Sequence, residues 1–143
     1  MENYQEAFLC RFDDTNALHS SGRKVAAIHF GGITVECLLK AMLMSSISPN
    51  ALKEWKTNDN EPGHTLSNPG HSFVEALKRY EKLYYRAQQF KHVMKWISDV
   101  EHPNQHFIDM RYSCDVPDDD TYKQWFNSYS CLVRWLQKQS QML

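Results

Sequence analysis

Residues 22–43 read GRKVAAIHFGGITVECLLKAML. Wound as a helix at about 100° per residue, this stretch places apolar side chains on nearly every face, from Val25 to Leu43. A helix that is apolar all round is either the central helix of a bundle or part of a subunit interface. We therefore predict a helix over residues 21–46 that the rest of the chain surrounds.

Amphipathic segments lie at both ends of the chain. Asn3 and Glu6 have the spacing of a capping box, and the helix they begin should end near residues 20–22. Near the other end, Asp118, Asp119 and Asp120 suit the positive N-terminus of a final helix. The predicted buried face of that helix consists of Tyr122, Trp125, Phe126, Tyr129, Leu132, Val133 and Leu136.

A third amphipathic segment lies between them. Ser72 and Glu75 again have capping-box spacing, and the helix they begin runs to Ile97 or breaks near Phe90, where the apolar stripe drifts. Turn signals predict a loop over residues 57–71, with a short helical turn at residues 50–56 as an addition. Residues 103–117 have no helical pattern, so we expect them to be irregular.

No strand pattern of comparable strength is present, and the few glycines and prolines cluster between the periodic segments. No repeat or linker marks a second domain. We predict that residues 1–143 form a single all-α domain. Its expected architecture is a four-helix up-and-down bundle with short additional helices.

Composition excludes several classes of protein. The 16 basic and 17 acidic residues give a net charge of −1, which provides no global attraction to nucleic acid or to an anionic membrane. The four cysteines form no C-x-x-C pair, and the N-terminus lacks the pattern of a signal peptide. Polar residues interrupt the longest apolar stretch. We expect a cytoplasmic protein with no membrane contact, metal or cofactor.

Three polar residues, His29, Glu36 and Lys40, form a single line along the apolar second helix, within about 40° of one another. In the structural interpretation, Glu36 and Lys40 form an i,i+4 ion pair and His29 is a hydrogen-bonded core histidine. In the functional one, the line belongs to a binding site, because a buried charged pair is weak evidence for stability. Gly31 and Gly32 in mid-helix indicate that another group comes close to the helix backbone there. The favoured interpretation is a packed helix, and the alternative is a ligand or a second subunit.

The same run resembles the signature of HEPN domains, the higher-eukaryote and prokaryote nucleotide-binding helical bundles. The matching positions are Gly22, Arg23, Ala27, Gly31, Val35, Glu36, Cys37, Leu38, Leu39, Lys40 and Ala41. Gly70-His71, which opens the third helix, and Arg111-Tyr112, shortly before the last one, are further points of similarity.

The resemblance implies a prokaryotic toxin, antitoxin, defence or stress protein. Many HEPN proteins are metal-independent ribonucleases, often paired with a nucleotidyltransferase antitoxin, and their usual signature is an arginine followed after four to six residues by a histidine. No histidine follows Arg111. The resemblance therefore implies a domain that binds RNA, a nucleotide or a nucleotidyltransferase partner without being a competent ribonuclease. It places Arg111 and Lys40 as anion contacts, Glu36 as a positioning group, and His29 and Tyr112 as polar or stacking contacts.

Near-zero net charge hides a polarised chain. Residues 78–95 carry six basic residues against Glu81, and residues 99–120 carry seven acidic residues against Arg111. Lys78, Lys82 and Arg86 repeat every four residues beside Tyr85, and such a strip could contact a phosphate backbone. The alternative is a solvated helix face that pairs with the acidic segment.

Two further functions stay open. A metal-independent ribonuclease site across a homodimer could combine Arg86 with His92, or use His29, although such arginine-to-histidine spacings are expected by chance. A non-catalytic homodimeric interaction module could instead dock through the aromatic last helix. His102 and His106 suggest zinc, but no fourth ligand stands at a typical spacing. The loop histidines His64 and His71 are interpreted as polar loop residues, His71 with a bracing role.

Overall fold

The computed structural model describes residues 3–47, 55 and 66–142. Their elements are α1 (Tyr4–Ser20), α2 (Lys24–Ser46), α3 (Phe73–Arg79), α4 (Glu81–Gln88), α5 (Lys91–Glu101), a 3₁₀ helix (Phe107–Tyr112) and α6 (Asp119–Met142). These ranges contain no strand, so the all-α prediction is confirmed. The predicted turn at 50–56, apart from Trp55, the loop over 57–65 and His64 lie outside the described residues.

The predicted helix starts at the N-caps are confirmed by hydrogen bonds. The side chains of Asn3, Ser72 and Asp118 each accept a backbone N–H from three residues further on, at 3.0, 3.2 and 2.8 Å. These bonds satisfy donors that a helix N-terminus otherwise leaves unpaired. Helix α2 begins three residues later than predicted, because Gly22, with a φ of 72°, makes the turn out of α1.

Helix α2 is the central helix, as its apolar pattern predicts. It contacts α1, α3, α5, α6 and the 3₁₀ helix, and 13 of its 23 residues are buried. Its length and mean hydropathy of 1.4 would also allow it to cross a membrane, but 67% of the apolar window is buried inside the fold. This burial is what the core helix of a bundle requires.

Contacts define the direction of the neighbouring helices. Thr15 of α1 meets Thr34 of α2 and Tyr4 meets Lys40, so α1 and α2 are antiparallel. Lys24 of α2 pairs with Asp119 of α6, and Gly31, further along α2, packs against Trp125, further along α6. Helices α2 and α6 are therefore parallel. The segment from α4 to α5 runs antiparallel to α6, since Arg86 of α4 contacts Gln139 while Asp99 of α5 contacts Ser128.

The third predicted helix is in fact three helices. The break near Phe90 was one of the two predicted outcomes, and it is observed with Phe90 as the N-cap of α5. The second break, at Tyr80 (φ −119°, ψ 82°), was not predicted. It redirects the chain so that Leu77, Leu83 and Val93, on three successive helices, are all buried in one core. Tertiary packing therefore overrides the local helix pattern.

The segment predicted to be irregular contains the 3₁₀ helix. Phe107 is fully buried at its start and contacts Gly32, so it anchors the segment to α2. A Cβ atom on Gly32 would lie 2.2 Å from the Phe107 ring, and one on Gly31 would lie 2.6 Å from Trp125. Both distances are far below van der Waals contact. The glycine pair thus serves close packing, as the favoured interpretation has it.

The aromatic face of α6 is directed into the molecule. Tyr122, Trp125 and Tyr129 are 6%, 4% and 1% exposed, while Phe126 and Trp135 are half-buried against the core. The hypothesis that this face docks a partner is therefore wrong for its three buried members, because their area is already used in folding.

Candidate functional site

The polar line of α2 contains a buried ion pair. The Lys40 Nζ atom donates to Glu36 Oε2 at 3.1 Å, and the two side chains are 7% and 15% exposed. Lys40 also lies 5.7 Å from the centre of the Tyr4 ring, within reach of a cation–π interaction. The pair has the predicted i,i+4 geometry. Because it is buried, however, losing one partner would leave an uncompensated charge, which costs far more than losing an exposed pair.

His71 completes this line from 35 residues away in the chain. Its Nδ1 atom donates to the second oxygen of Glu36 at 2.6 Å, so the carboxylate holds Lys40 on one side and His71 on the other. The His71 side chain is 52% exposed. With Nδ1 engaged, Nε2 is the nitrogen free to exchange a proton with a ligand. The sequence interpretation of His71 as a bracing loop residue missed this carboxylate partner.

His29 is held by the backbone instead. Its Nδ1 atom donates to the Phe107 carbonyl oxygen at 3.1 Å, since a carbonyl can only accept. The bond fixes the 3₁₀ helix to α2. His29 therefore fits the structural interpretation of a hydrogen-bonded histidine.

A second histidine–carboxylate pair lies close to the first. The His102 Nε2 atom is 2.7 Å from Glu101 Oε2, and the other Glu101 oxygen accepts the Phe73 N–H at 2.5 Å. His106 stands between the pairs: its Nε2 donates to the His71 carbonyl and its Nδ1 accepts the Ile108 N–H. His106 is thus fixed as the neutral Nε2–H tautomer.

We call Glu36, His71, Glu101, His102 and His106 the histidine–carboxylate cluster. Two of its imidazoles contact Phe107, with ring centres 6.4 Å (His71) and 4.6 Å (His106) from the Phe107 ring, and His102 contacts His106 with ring centres 5.2 Å apart. Among the described residues, no group of three or more histidine, cysteine, aspartate or glutamate side chains is placed to hold a metal ion. The side chains of the cluster are joined to one another and to the backbone by hydrogen bonds.

Arg111 and Tyr112 lie apart from the polar line. Both are on the surface, Tyr112 is 77% exposed, and the Arg111 guanidinium stacks 4.7 Å above the Tyr112 ring. The 3₁₀ helix that carries them is joined to α2 through Phe107 and His29. The structure thus places His29, Glu36 and Lys40 on α2, brings His71 to Glu36 from the turn before α3, and leaves Arg111 and Tyr112 facing solvent.

The basic strip is bent by the break at Tyr80. Lys78 lies on α3 and makes a 3.9 Å ion pair with Glu75, whereas Lys82 and Arg86 lie on α4. The Arg86 guanidinium donates to the buried Gln139 at 3.0 Å. The three residues of the predicted strip therefore lie on two helices, because the helix is interrupted at Tyr80.

An exposed basic surface remains at the corner between α4 and α5. We call Lys82, Tyr85, Phe90 and Lys91 the basic corner. Tyr85 is 67% exposed, Phe90 is 53% exposed, and both lysines are exposed. No carboxylate of the described residues pairs with either lysine, although Glu81 is exposed next to Lys82. The acidic segment therefore does not neutralise this surface.

The weak catalytic candidates do not form a site within one chain. Arg86 is on α4 and bonds Gln139, while His92 is on α5 and stacks on Trp96 with ring centres 6.4 Å apart. Arg23 is an exposed residue at the start of α2, and His29 is engaged with Phe107. Arg86 therefore does not contact His92, and Arg23 does not contact His29, although the residues of each pair are six positions apart in the sequence.

A cavity of about 320 Å³ opens beside the start of α6. Its apolar lining includes Ile28, Met110 and Trp125, and its acidic lining consists of Asp99, Asp115 and Asp118. Asp99 is bonded to Lys95 and Ser128. The Thr121 N–H bonded to Asp118 holds the pKa of that carboxyl below its usual range, so Asp118 is charged at neutral pH. No sequence pattern predicted this cavity.

The core behind it contains a buried tyrosine. Tyr129 lies near the hydroxyls of Thr34 and Thr15, yet its own hydroxyl completes no hydrogen bond of ordinary geometry. Burial raises the pKa of Tyr129 to about 12, because the phenolate would lose its hydration. This group is neutral at physiological pH and contributes to packing.

No protein-family model matches the chain, and neither a curated protein nor a solved structure matches it.

Proposed function

We propose that this protein is a HEPN-like four-helix bundle that binds RNA through the basic corner, without the usual ribonuclease motif. The alternating directions of α1, α2, α5 and α6 support the bundle, with α3, α4 and the 3₁₀ helix as additions. The setting that we propose is a prokaryotic toxin–antitoxin, defence or stress system in the cytoplasm. A nucleotidyltransferase-type antitoxin and a second copy of the chain are the proposed partners.

The observation that carries the proposal is the presence of exposed aromatic rings near exposed lysines that no described carboxylate pairs with. Tyr85 and Phe90 present their rings to solvent within nine residues of Lys82 and Lys91. Proteins that bind single strands combine such rings, on which bases stack, with cations that follow the phosphate backbone. Each stacked base contributes about 1–3 kcal/mol in such complexes. Arg111 and Tyr112 form a second exposed combination of a cation and an aromatic ring.

Fluorescence anisotropy with a labelled single-stranded RNA tests this proposal. We expect Tyr85→Ala to weaken binding about tenfold or more, and Lys82→Ala with Lys91→Ala to lower the slope of log affinity against log salt by about 1.4. The matched control is Lys123→Ala with Lys138→Ala, which removes two exposed lysines of α6. Equal loss in the control and the corner variant, or a wild type without affinity, would refute the site.

A second candidate function is metal-independent RNA cleavage, which the Glu36–His71 pair favours. The exposed His71 Nε2 could take the proton of a ribose 2′-hydroxyl. The 2′ oxygen would then bond to the adjacent phosphorus, the bond from phosphorus to the 5′ oxygen would break, and that oxygen would take a proton from water. This centre replaces the weaker Arg86 and His92 candidates.

Incubation of RNA with the purified protein in chelator tests this candidate. Cleavage that His71→Ala abolishes, and that His92→Ala and His29→Ala leave intact, is the expected result for this centre. Intact RNA in the presence of folded protein would remove ribonuclease activity from consideration and leave the binding proposal standing.

A further inference from the structure

The exposed apolar residues of this protein are concentrated on two surfaces of opposite charge. Six large apolar side chains are exposed among the described residues: Leu9, Tyr85, Phe90, Tyr112, Val116 and Met142. Two of them belong to the basic corner. Two others, Tyr112 and Val116, lie in the acidic stretch before α6. Large apolar side chains that are exposed together on a charged surface indicate an interaction site.

The acidic surface also has a recess. Val116 lines the cavity of about 320 Å³, whose apolar lining includes Trp125 and Met110. Asp115 and Asp118 line the same cavity, and Asp120 is exposed a few residues further on. An apolar recess with carboxylates along it fits an aromatic ring that lysines flank.

The basic corner provides such a ring, and none of its four residues lines the cavity of its own chain. Phe90 stands at the start of α5, whereas Lys95, Asp99 and Pro103 line the cavity along and beyond the same helix. The Phe90 ring is exposed and is therefore available to the cavity of another molecule.

We propose that the basic corner of one copy docks into the acidic cavity of a second copy. Phe90 enters the recess, and Lys82 and Lys91 meet Asp115 and Asp120 of the second copy. The contact joins two unlike surfaces, so a single such contact leaves one surface free on each copy for a further contact. It requires no RNA, although RNA at the basic corner would compete with it.

Charge complementarity argues for a second copy as the occupant. Each copy presents both surfaces, and the near-neutral chain, with a net charge of −1, has no overall repulsion to overcome. Opposite charges on two docking surfaces favour encounter and orientation, and salt weakens both effects. Of the buried α6 aromatics only Trp125, which lines the recess, takes part, in contrast to a dimer that docks through the aromatic face of that helix.

Sedimentation velocity on nuclease-treated protein tests the proposal at low and high salt. We expect concentration-dependent association at low salt that weakens about tenfold or more at high salt. Phe90→Ser should abolish it. Leu9→Ser, which changes an exposed apolar residue far from both surfaces in the sequence, should leave it unchanged.

A charge exchange completes the experiment. Variant one carries Lys82→Glu and Lys91→Glu, and variant two carries Asp115→Lys and Asp120→Lys. Each alone should stay monomeric, and the equimolar mixture should associate again, because each reversed surface meets its complement. Monomeric wild type at low salt, association that persists in both single variants, or a mixture that stays monomeric would overturn the proposal. RNA binding by monomeric wild type would leave the proposed RNA binding intact and remove the second copy as a partner.

Discussion

Helix α2 and the basic corner both carry lysines, but the two regions use them in opposite ways. Lys40 is buried against Glu36 and the Tyr4 ring. Lys82 and Lys91 are exposed and have no acidic partner among the described residues. The charge in α2 is already neutralised within the fold, whereas the charge at the corner is available to a ligand. A polar residue on an apolar helix can therefore belong to a structural ion pair as readily as to a binding site.

The largest expected effect is on the stability of the α2 pair. Glu36→Ala should destabilise the fold by about 3–5 kcal/mol, because it leaves Lys40 buried without a counter-charge. Glu75→Ala is the matched control, since it removes an i,i+4 pair with Arg79 whose carboxylate is 50% exposed. That change should cost about 1 kcal/mol or less. Urea denaturation measures both, and equal losses would mean that Lys40 is hydrated.

The double variant Glu36→Leu with Lys40→Met sharpens the same comparison. It removes both charges and fills the site with apolar side chains, so most of the loss should be recovered. A double variant as unstable as Glu36→Ala would show that the pair, together with the bond to His71, stabilises the fold in its own right.

Close packing at the glycine pair gives the next effect. Gly32→Ala should cost about 2–3 kcal/mol, because the new methyl group would overlap the Phe107 ring and the Phe107 Cβ atom. The gain in helix propensity recovers only about 1 kcal/mol of this cost. Gly31→Ala should cost less, because its methyl group meets the outer edge of the Trp125 ring. Thermal unfolding of both variants checks this order. Gly31→Ala as the worse variant would contradict it.

Alkaline pH tests the buried core behind these residues. Burial raises the pKa of Tyr129 from 10.0 to about 12, so the unfolded chain loses the proton first and stability decreases as pH rises through this window. The loss should be about 1 kcal/mol at a pH of about 11. Tyr129→Phe should remove this part of the pH dependence. The raised pKa of Tyr122 should leave a residual slope, and an unchanged profile would contradict the burial argument.

The basic corner should have the smallest effect on stability. Lys82→Ala with Lys91→Ala changes two exposed side chains that no described carboxylate pairs with, and a shift within about 0.5 kcal/mol is expected. Chemical denaturation at neutral pH measures it. A larger loss would mean that these lysines support the fold, and would weaken their assignment to a ligand.

The sequence predicts local features of this fold better than long-range ones. The caps at Asn3, Ser72 and Asp118 and the central position of α2 follow from short patterns with direct physical causes. The break at Tyr80 does not, because the residues around it have no strong helix breaker and only the shared core redirects them. The start of the 3₁₀ helix at Phe107 depends in the same way on Gly32, far away in the chain.

The candidate sites show the same limit. The alignment of His29, Glu36 and Lys40 along one helix follows from helical spacing, but the bond from His71 to Glu36 requires the fold to join residues 35 positions apart. The basic residues could be counted in the sequence. Which of them would remain exposed could not, since Arg86 turns to Gln139 while Lys82 stays in solvent.

The most direct test of the account measures stability and RNA affinity together for two variants, Glu36→Ala and Lys82→Ala with Lys91→Ala, at a temperature where both are folded. The account predicts that the Glu36 variant loses stability and keeps its affinity, and that the corner variant keeps its stability and loses affinity. The reverse pattern, with folded Glu36→Ala unable to bind RNA and the corner variant binding normally, would contradict it.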